Sequence, residues 1–177
     1  MTVNFLFGSF KVNEDEYKVM GMAAFGRPIY LKNINKLVSE RKIFFKLKKE
    51  YFNFHKLETL PLTEKFFELF RLPRNQQMSF KAKNNRKNGL KELTEDEIYY
   101  ADIAASIQKF TENSIIKLAE KAIKMTGLKN ICLAGGVALN SSANQILIKR
   151  FKNVFVQPAA GDAGTSIGAA FNTFYNN

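Results

Sequence analysis

The sequence predicts a mixed α and β protein that ends in a parallel βαβα unit and has additional helices before it. Two short apolar runs, residues 131–134 and 154–156, have the length and composition of strands. Glycine or proline breaks each run, and apolar residues at helical spacing follow. Strand, helix, strand and helix in this order form a unit with parallel strands and a right-handed crossover.

The N-terminal half carries weaker local signals. Residues 3–7 predict a strand or an extended lead-in, and residues 17–24 predict a short helix that ends at Gly26 before a proline. Residues 42–54 predict two short strands or one bent strand, and a threonine cap predicts a helix over residues 63–70. These elements precede the strongest helical signal of the chain.

The longest predicted helix begins at a capping box, in which Thr94 and Glu97 satisfy each other's backbone N–H groups. Apolar residues then recur along one face as far as Met125, and Gly127 ends the helix. This helix leads the chain into the first strand of the βαβα unit.

The loop after the first of these strands contains Gly135 and Gly136. Glycines let the backbone come close to a ligand, and the N–H groups that open the following helix attract a phosphate. Asn140 is predicted to lie one turn into that helix, where its amide can contact a sugar hydroxyl or a phosphate oxygen. The alternative is that the two glycines only form a tight turn.

The loop after the second strand contains Asp162. Parallel strands bring both loops to the same edge of the sheet, which is where ligands bind in open α/β folds. The Asp162 carboxylate could hold a hard metal ion, or it could cap the last helix, and the sequence leaves both interpretations open. Gly164 and Gly168, one turn apart, are interpreted as packing residues between that helix and the sheet.

Length and composition indicate one folded domain. The chain has 177 residues, of which 46% are hydrophobic and 17 are phenylalanine. Its single cysteine, Cys132, is predicted inside a buried strand, so no internal disulfide can form and a reducing cytoplasm is expected. No apolar run reaches transmembrane length, and no signal-peptide pattern is present at the N-terminus, so no membrane association is expected.

The formal net charge of +11 raises the question of nucleic-acid binding. A large part of this charge is concentrated in two clusters, one near residues 46–49 and one from Lys81 to Lys91. The second cluster is mixed with asparagine and glycine, which is typical of a solvated loop. The sequence therefore favours a solvated basic loop over a nucleic-acid-binding surface.

Four segments carry a resemblance to a known family: EYKVMGMAAFGRP at residues 16–28, DIAASIQKFTE at 102–112, LAGGVALN at 133–140 and QPAAGDAG at 157–164. They resemble the O-carbamoyltransferases of nodulation-factor, cephamycin and tobramycin biosynthesis. The catalytic domain of that family is similar to the actin, sugar-kinase and heat-shock-chaperone superfamily of ATPases. The resemblance implies that this chain is part of one lobe of such a domain.

The resemblance also implies roles for individual residues. Asp162 would be the catalytic metal ligand, for a divalent metal of the iron type. Residues on two sides would line the site for ATP or carbamoyl adenylate, namely Gly135, Gly136 and Asn140 on one side and Tyr17, Lys18 and Gly26 on the other. The single partial catalytic domain, 1–177, would then divide into a nucleotide-side segment, 1–31, a variable insert, 32–93, and a nucleotide and metal unit with its long helix, 94–177.

The chain departs from the family in its histidines. In the family, two histidines from an upstream motif complete the metal site, whereas the one histidine here is His55. We therefore expect the chain to be a fragment that lacks N-terminal and C-terminal portions of the enzyme and is inactive alone. Two parallel strands cannot form the larger sheet of this superfamily, so exposed strand edges and self-association as a homo-oligomer are also expected.

The resemblance implies a cytoplasmic enzyme acting on small molecules. It would move a carbamoyl group from carbamoyl phosphate, through carbamoyl adenylate, to a hydroxyl of a sugar or natural product. Two alternatives stay open from the residues, a non-catalytic truncated relative that keeps a nucleotide pocket and a protein similar to the tRNA threonylcarbamoyl transferases. A basic nucleic-acid module is a third.

Overall fold

The computed structural model describes residues 15–40, 45–54, 61–72 and 93–176. The chain divides into two compact units, an N-terminal unit, Met1–Phe110, and a C-terminal unit, Thr111–Asn177. Helices and small sheets occur in both, so the predicted mixed α and β class is confirmed. The predicted strand at residues 3–7, His55 and the basic run from Lys81 to Lys91 lie outside the described residues.

The described part of the N-terminal unit is mainly helical. Its elements are α1 (Glu16–Ala23), α2 (Leu31–Lys36), β1 (Val38–Glu40), β2 (Phe45–Leu47), α3 (Glu64–Phe67) and the first half of α4 (Glu95–Thr126). Strands β1 and β2 are antiparallel, with Val38 opposite Leu47. The sequence predicted β2 but neither α2 nor β1.

An aromatic core holds this unit together. The rings of Phe66 and Phe70 lie 4.9 Å apart, as expected for residues four positions apart near the end of a helix. Burial raises the pKa of the Tyr99 phenol, whose oxygen accepts the Arg71 N–H at 2.6 Å. The buried apolar cluster comprises Val19, Met22, Ile34, Leu37, Tyr51, Phe52, Leu62, Phe66, Phe70, Tyr99, Tyr100, Ala101, Ile103 and Ala104.

Local signals in the sequence set the ends of two helices. The Thr94 N–H donates to the Glu97 carboxylate at 2.9 Å, and the Glu97 N–H donates to the Thr94 hydroxyl at 3.2 Å, which confirms the capping box of α4. Gly127 has a φ of 71° and ends α4, as predicted. The Thr63 hydroxyl accepts the Phe66 N–H at 3.4 Å and caps the short helix α3.

The C-terminal unit contains the second half of α4 and the predicted βαβα unit. The elements after α4 are β3 (Asn130–Leu133), α5 (Ser141–Arg150), β4 (Asn153–Val156) and α6 (Gly164–Asn176). Strands β3 and β4 are parallel, with Ile131 opposite Val154, so the predicted strand pairing is confirmed. Helix α5 buries Ala143 and Leu147, whereas α6 buries none of its side chains.

The predicted burial of Cys132 is wrong, because the side chain is exposed. Cys132 lies opposite Phe155 in the register, and Phe155 is 57% exposed. Successive residues of a strand point to opposite faces, and only the face that carries Ile131 and Val154 is partly covered. A short apolar run does not reveal which face a neighbouring element covers. Among the described residues, no helix is both long and apolar enough to cross a membrane.

Candidate functional site

The loop after β3 turns at Gly135 and continues as a short 3-10 turn. Gly135 has a φ of 97°, a conformation that favours glycine, and the turn spans Gly136–Leu139. The sequence predicted a helix from Val137 onward with Asn140 one turn inside it. That prediction is wrong, because the α-helix begins only at Ser141.

Asn140 is the N-cap of α5. Its side-chain oxygen accepts the Ala143 N–H at 3.0 Å, which satisfies a backbone donor at the start of the helix. Asn144 reinforces the turn by donating its amide N–H to the Ala138 carbonyl at 2.7 Å. Asparagine is among the most favoured N-cap residues, and this preference outweighed the apolar spacing of the preceding residues.

Backbone contacts join the loop after β3 to the loop after β4. The Gly135 N–H donates to the Ala160 carbonyl at 2.7 Å, and the Gln157 N–H donates to the Leu133 carbonyl at 3.1 Å. A Cβ built on Gly161 would lie 3.3 Å from the Leu139 side chain. The structure therefore brings the two predicted loops together at the carboxyl ends of β3 and β4.

The glycines of these loops and of α6 differ in their backbone conformation and in the space around them. Gly135 is required by its positive φ, and Gly164 by close packing, since an added Cβ would lie 2.4 Å from the Ala159 carbonyl oxygen. The packing interpretation fails for Gly168, because in the described part of the chain an added Cβ would have no atom within 4 Å apart from its chain neighbours and its own helix backbone. Gly136 likewise has open space around an added Cβ and no positive φ. Neither backbone conformation nor internal packing explains its lack of a side chain.

Asp162 is exposed on the loop after β4. The Thr165 hydroxyl donates to its backbone carbonyl at 2.7 Å, while its carboxylate forms no hydrogen bond with the described residues. The helix-cap interpretation of this side chain is therefore wrong. The described residues contain no group of three or more histidine, cysteine, aspartate or glutamate side chains that could hold a metal ion. Asp162 alone supplies too few donors for a protein iron site.

Gln157 contributes a second polar side chain near this edge. Its Oε1 is buried and has no hydrogen-bond partner within the described part of the chain. The residue directly follows β4 and precedes the Asp162 loop. A buried acceptor without a donor destabilises the fold, which is typical of positions that serve a further contact.

The other three predicted site residues lie in the N-terminal unit. Tyr17 is 63% exposed on α1, and the Lys18 ammonium is 2.7 Å from the Asp15 carboxylate. Gly26 lies against α4, where an added Cβ would come within 2.0 Å of the Ala101 carbonyl oxygen. Within this unit Gly26 therefore has a packing role, beside the predicted binding role.

Two buried polar residues of α4 did not stand out in the sequence. Asp102 is 4% exposed and Ser106 is fully buried, at 0%. They are four positions apart and interrupt an otherwise apolar face of the predicted helix. Polar side chains on the buried face of a helix need a specific hydrogen-bond partner. This interruption of the apolar face could therefore have identified Asp102 and Ser106 from the sequence.

A protein-family match covers nearly the whole chain. Residues 2–171 match the family described as the carbamoyltransferase N-terminus. This match includes all seven predicted site residues, from Tyr17 to Asp162.

Individual relatives agree with this match. A Synechocystis protein, uncharacterized protein sll1178, is 42% identical over 170 residues, which cover 94% of this chain and 25% of that protein. Nodulation protein NolNO of Sinorhizobium fredii is 31% identical over 165 residues, or 88% of this chain and 20% of that protein. Nodulation protein NolO of Bradyrhizobium diazoefficiens is 42% identical over 73 residues, or 40% of this chain and 13% of that protein. The chain thus spans a quarter or less of the length of these relatives.

Proposed function

Because the chain belongs to the carbamoyltransferase N-terminus family, we propose that it supplies the nucleotide-binding residues of an ATP-dependent O-carbamoyltransferase. The proposed reaction takes the carbamoyl group of carbamoyl phosphate, passes it through carbamoyl adenylate and delivers it to a hydroxyl of a sugar or natural product. The family match supports the transferase class, and the likeness to two nodulation proteins agrees with the resemblance to the O-carbamoyltransferases of nodulation-factor biosynthesis, from which the acceptor class is taken.

The observation that carries the nucleotide proposal is the surroundings of Gly136. This residue is exposed, has no positive φ and has open space where a side chain would stand. Gly21 and Gly168 share these properties but lie inside helices, whereas Gly136 opens the 3-10 turn in the loop after β3, where the lack of a side chain leaves the backbone N–H groups accessible to a ligand. The hydrogen bond from Gly135 to Ala160 keeps the second loop beside this surface.

The chain's own groups would act on the nucleotide as hydrogen-bond donors. The Gly136 and Val137 N–H groups open the 3-10 turn, where backbone donors have no acceptor within the turn itself. Donors of this kind bind phosphate oxygens, and their fixed orientation favours the charge that develops during phosphoryl or adenylyl transfer. Asn140 would hold the end of this turn by capping α5. Tyr17, Lys18 and Gly26 are proposed as nucleotide contacts on the resemblance of residues 16–28 alone.

The proposed metal role of Asp162 needs donors beyond the described residues. A metal ion in such an enzyme acts as a Lewis acid on a carbonyl or phosphoryl oxygen. The exposed Asp162 carboxylate could supply one ligand, but the described residues do not by themselves fit an iron site. The roles proposed for the chain's own residues are therefore limited to binding the nucleotide.

The test is ATP binding by the full native protein, measured by titration calorimetry. Gly136→Val would place a branched side chain on the proposed phosphate surface, and we expect the dissociation constant for ATP to rise at least about tenfold, the equivalent of 1.4 kcal/mol. The stability should hardly change, because an added Cβ at this position would have no contact within 4 Å beyond its chain neighbours among the described residues.

Gly168→Ala is the matched control, since it also adds a side chain into open space but lies within α6. Its ATP affinity should equal that of the unchanged protein. Equal affinity of the Gly136→Val protein would remove the main support for a phosphate site at this loop. Failure of the unchanged protein to bind ATP would overturn the nucleotide proposal as a whole.

A further inference from the structure

The loop between α1 and α2, residues 24–30, lies directly on the buried face of α4. A Cβ built on Gly26 would come within 2.0 Å of the Ala101 carbonyl oxygen and within 2.5 Å of the Asp102 backbone nitrogen. A side chain cannot occupy such distances without moving the backbone. The backbones of the loop and the helix are therefore in contact at this position.

Two polar side chains on this face of α4 hold the loop backbone, and we call them the loop brace. Asp102 Oδ1 accepts the Arg27 N–H at 2.6 Å, and Ser106 Oγ accepts the Tyr30 N–H at 3.0 Å. The Ser106 hydroxyl also donates to the Asp102 carbonyl oxygen at 2.6 Å, which fixes its orientation. Because these residues are four positions apart, they lie on one face of α4 and hold the loop at two points.

The burial of Asp102 is hard to explain by stability alone. It is 4% exposed, and no lysine or arginine in the described ranges forms an ion pair with it. Burying a carboxylate without a counter-charge costs free energy, and an apolar contact would join two elements at lower cost. A directed hydrogen bond differs from an apolar contact because it fixes one position of the loop backbone.

We propose that Asp102 and Ser106 are positioning residues that fix residues 26–30 for binding a nucleoside triphosphate. The inference rests on the proposed function, which assigns Lys18 and Gly26 to nucleotide binding. The braced loop also carries Arg27, an exposed cation that forms no ion pair within the described part of the chain. The brace thus fixes the backbone that carries a positive charge suited to a triphosphate.

The first measurement is hydrogen exchange of residues 25–31 in the full protein without ligand. Asp102→Ala and Ser106→Ala each remove one acceptor, so we expect the Arg27 and Tyr30 amides to exchange at least about tenfold faster, as for the loss of a hydrogen bond. Asp102→Asn keeps an oxygen in place and should restore most of the protection. Asp96→Asn is the matched control, because Asp96 is exposed on the same helix and pairs with Arg71 at 3.3 Å.

The second measurement is the ATP dissociation constant of the same proteins, taken well below their unfolding temperatures. A brace that positions the loop predicts an increase of about five- to tenfold for the two alanine variants, near that of one lost hydrogen bond. The asparagine variant and the Asp96→Asn control should stay within about twofold of the unchanged protein.

Each outcome decides the inference. Faster exchange with weaker ATP binding supports it, whereas faster exchange with unchanged affinity shows that the brace serves the fold alone and overturns it. Unchanged exchange at Arg27 and Tyr30 also overturns it. If the unchanged protein does not bind ATP, both the proposed function and this inference are overturned. This result can be told from failure of the inference alone, because in that case the unchanged protein would still bind ATP. If both alanine variants fail to fold, Asp102→Asn decides, because its neutral amide oxygen is a weaker acceptor for the Arg27 N–H than the carboxylate. Faster exchange of the Arg27 amide with a parallel rise in the ATP dissociation constant would support the inference, and the absence of such a parallel rise would overturn it.

Discussion

The two units of the chain differ in how their residues are held. The N-terminal unit buries a connected set of aromatic and aliphatic side chains, including Phe52, Phe66 and Ile103. The apolar side chains that the C-terminal unit buries are alanines and one leucine, Leu147, among the described residues. Large apolar side chains such as Phe171 and Phe174 are 58% and 76% exposed there.

The unit that carries the two glycine loops is therefore the less buried one. The C-terminal unit contains the loops at residues 133–140 and 157–164, and backbone hydrogen bonds and close glycine contacts set their shape. The N-terminal unit contributes the segment at residues 16–28, and its core fixes the end of that segment through α4. Local geometry and core burial are thus two separate ways in which this chain could fix predicted site residues.

The largest expected effect tests the contact of Gly26 with α4 in the well-buried unit. Gly26→Ala should lower the free energy of unfolding by more than about 3 kcal/mol, because the new Cβ meets helix backbone that cannot move aside. Gly21→Ala is the control, since it lies inside α1 with open space around it and should be neutral or stabilising by about 0.5 kcal/mol. Urea unfolding of both proteins measures the difference, and equal stabilities would contradict the close contact.

The next largest effect measures how much the small core of the C-terminal unit contributes to the free energy of unfolding. Leu147→Ala should cost about 2 to 3 kcal/mol, because Leu147 is fully buried, at 0% exposure, on α5. Ile148→Ala is its neighbour control, since Ile148 is 58% exposed and should change stability by less than about 0.5 kcal/mol. Hydrogen exchange of β3 and β4 in both variants reports the effect within the unit. Similar exchange in the two variants would mean that Leu147 does not form a core there.

A smaller effect separates the two glycines at the start and middle of α6. Gly164→Ala should cost about 1 to 2 kcal/mol, because the Cβ would lie 2.4 Å from the Ala159 carbonyl oxygen and push the loop away from the helix. Gly168→Ala should instead be neutral or stabilising, since its surroundings are open and alanine favours the helix. Thermal unfolding compares the two variants, and a reversed order would refute the assignment of Gly164 as the packing glycine.

Sequence reasoning succeeded where a few neighbouring residues decide the structure. Thr94, Glu97 and Gly127 set both ends of α4 through contacts within one turn, so their types alone were sufficient. The parallel pairing of β3 with β4 followed from the order of elements, because such crossovers have few alternatives.

It failed where distant residues decide. Cys132 was expected to be buried, yet its exposure depends on whether another element covers that face of β3. Strand β1 was missed because its three residues are stabilised by pairing with β2 rather than by their own pattern. For the site, the sequence predicted the glycine loops, but Asp102 and Ser106 gained their partners only through contacts about 75 residues away, between Arg27 or Tyr30 and α4.

The smallest effect uses the one helix that belongs to both units. Thr94→Ala removes the cap of α4 and should cost about 1 kcal/mol, since the Glu97 N–H loses its acceptor. Thr173→Ala is the control for the same chemical change, because the exposed Thr173 only donates to the Ala169 carbonyl within α6.

Hydrogen exchange after loss of the cap shows whether the two units open together. The buried stretch of α4 at residues 99–106 should exchange about fivefold faster, as about 1 kcal/mol implies, because its amides open only when the N-terminal core opens. We expect amides of β3 and β4 to be unchanged, because the small buried core of the C-terminal unit, around Leu147, does not include the residues of the cap. Equal acceleration of the α4 amides and of the β3 and β4 amides would show that α4 couples the two units into one cooperative structure. The contrast between core burial and local geometry would then describe two parts of a single folding unit.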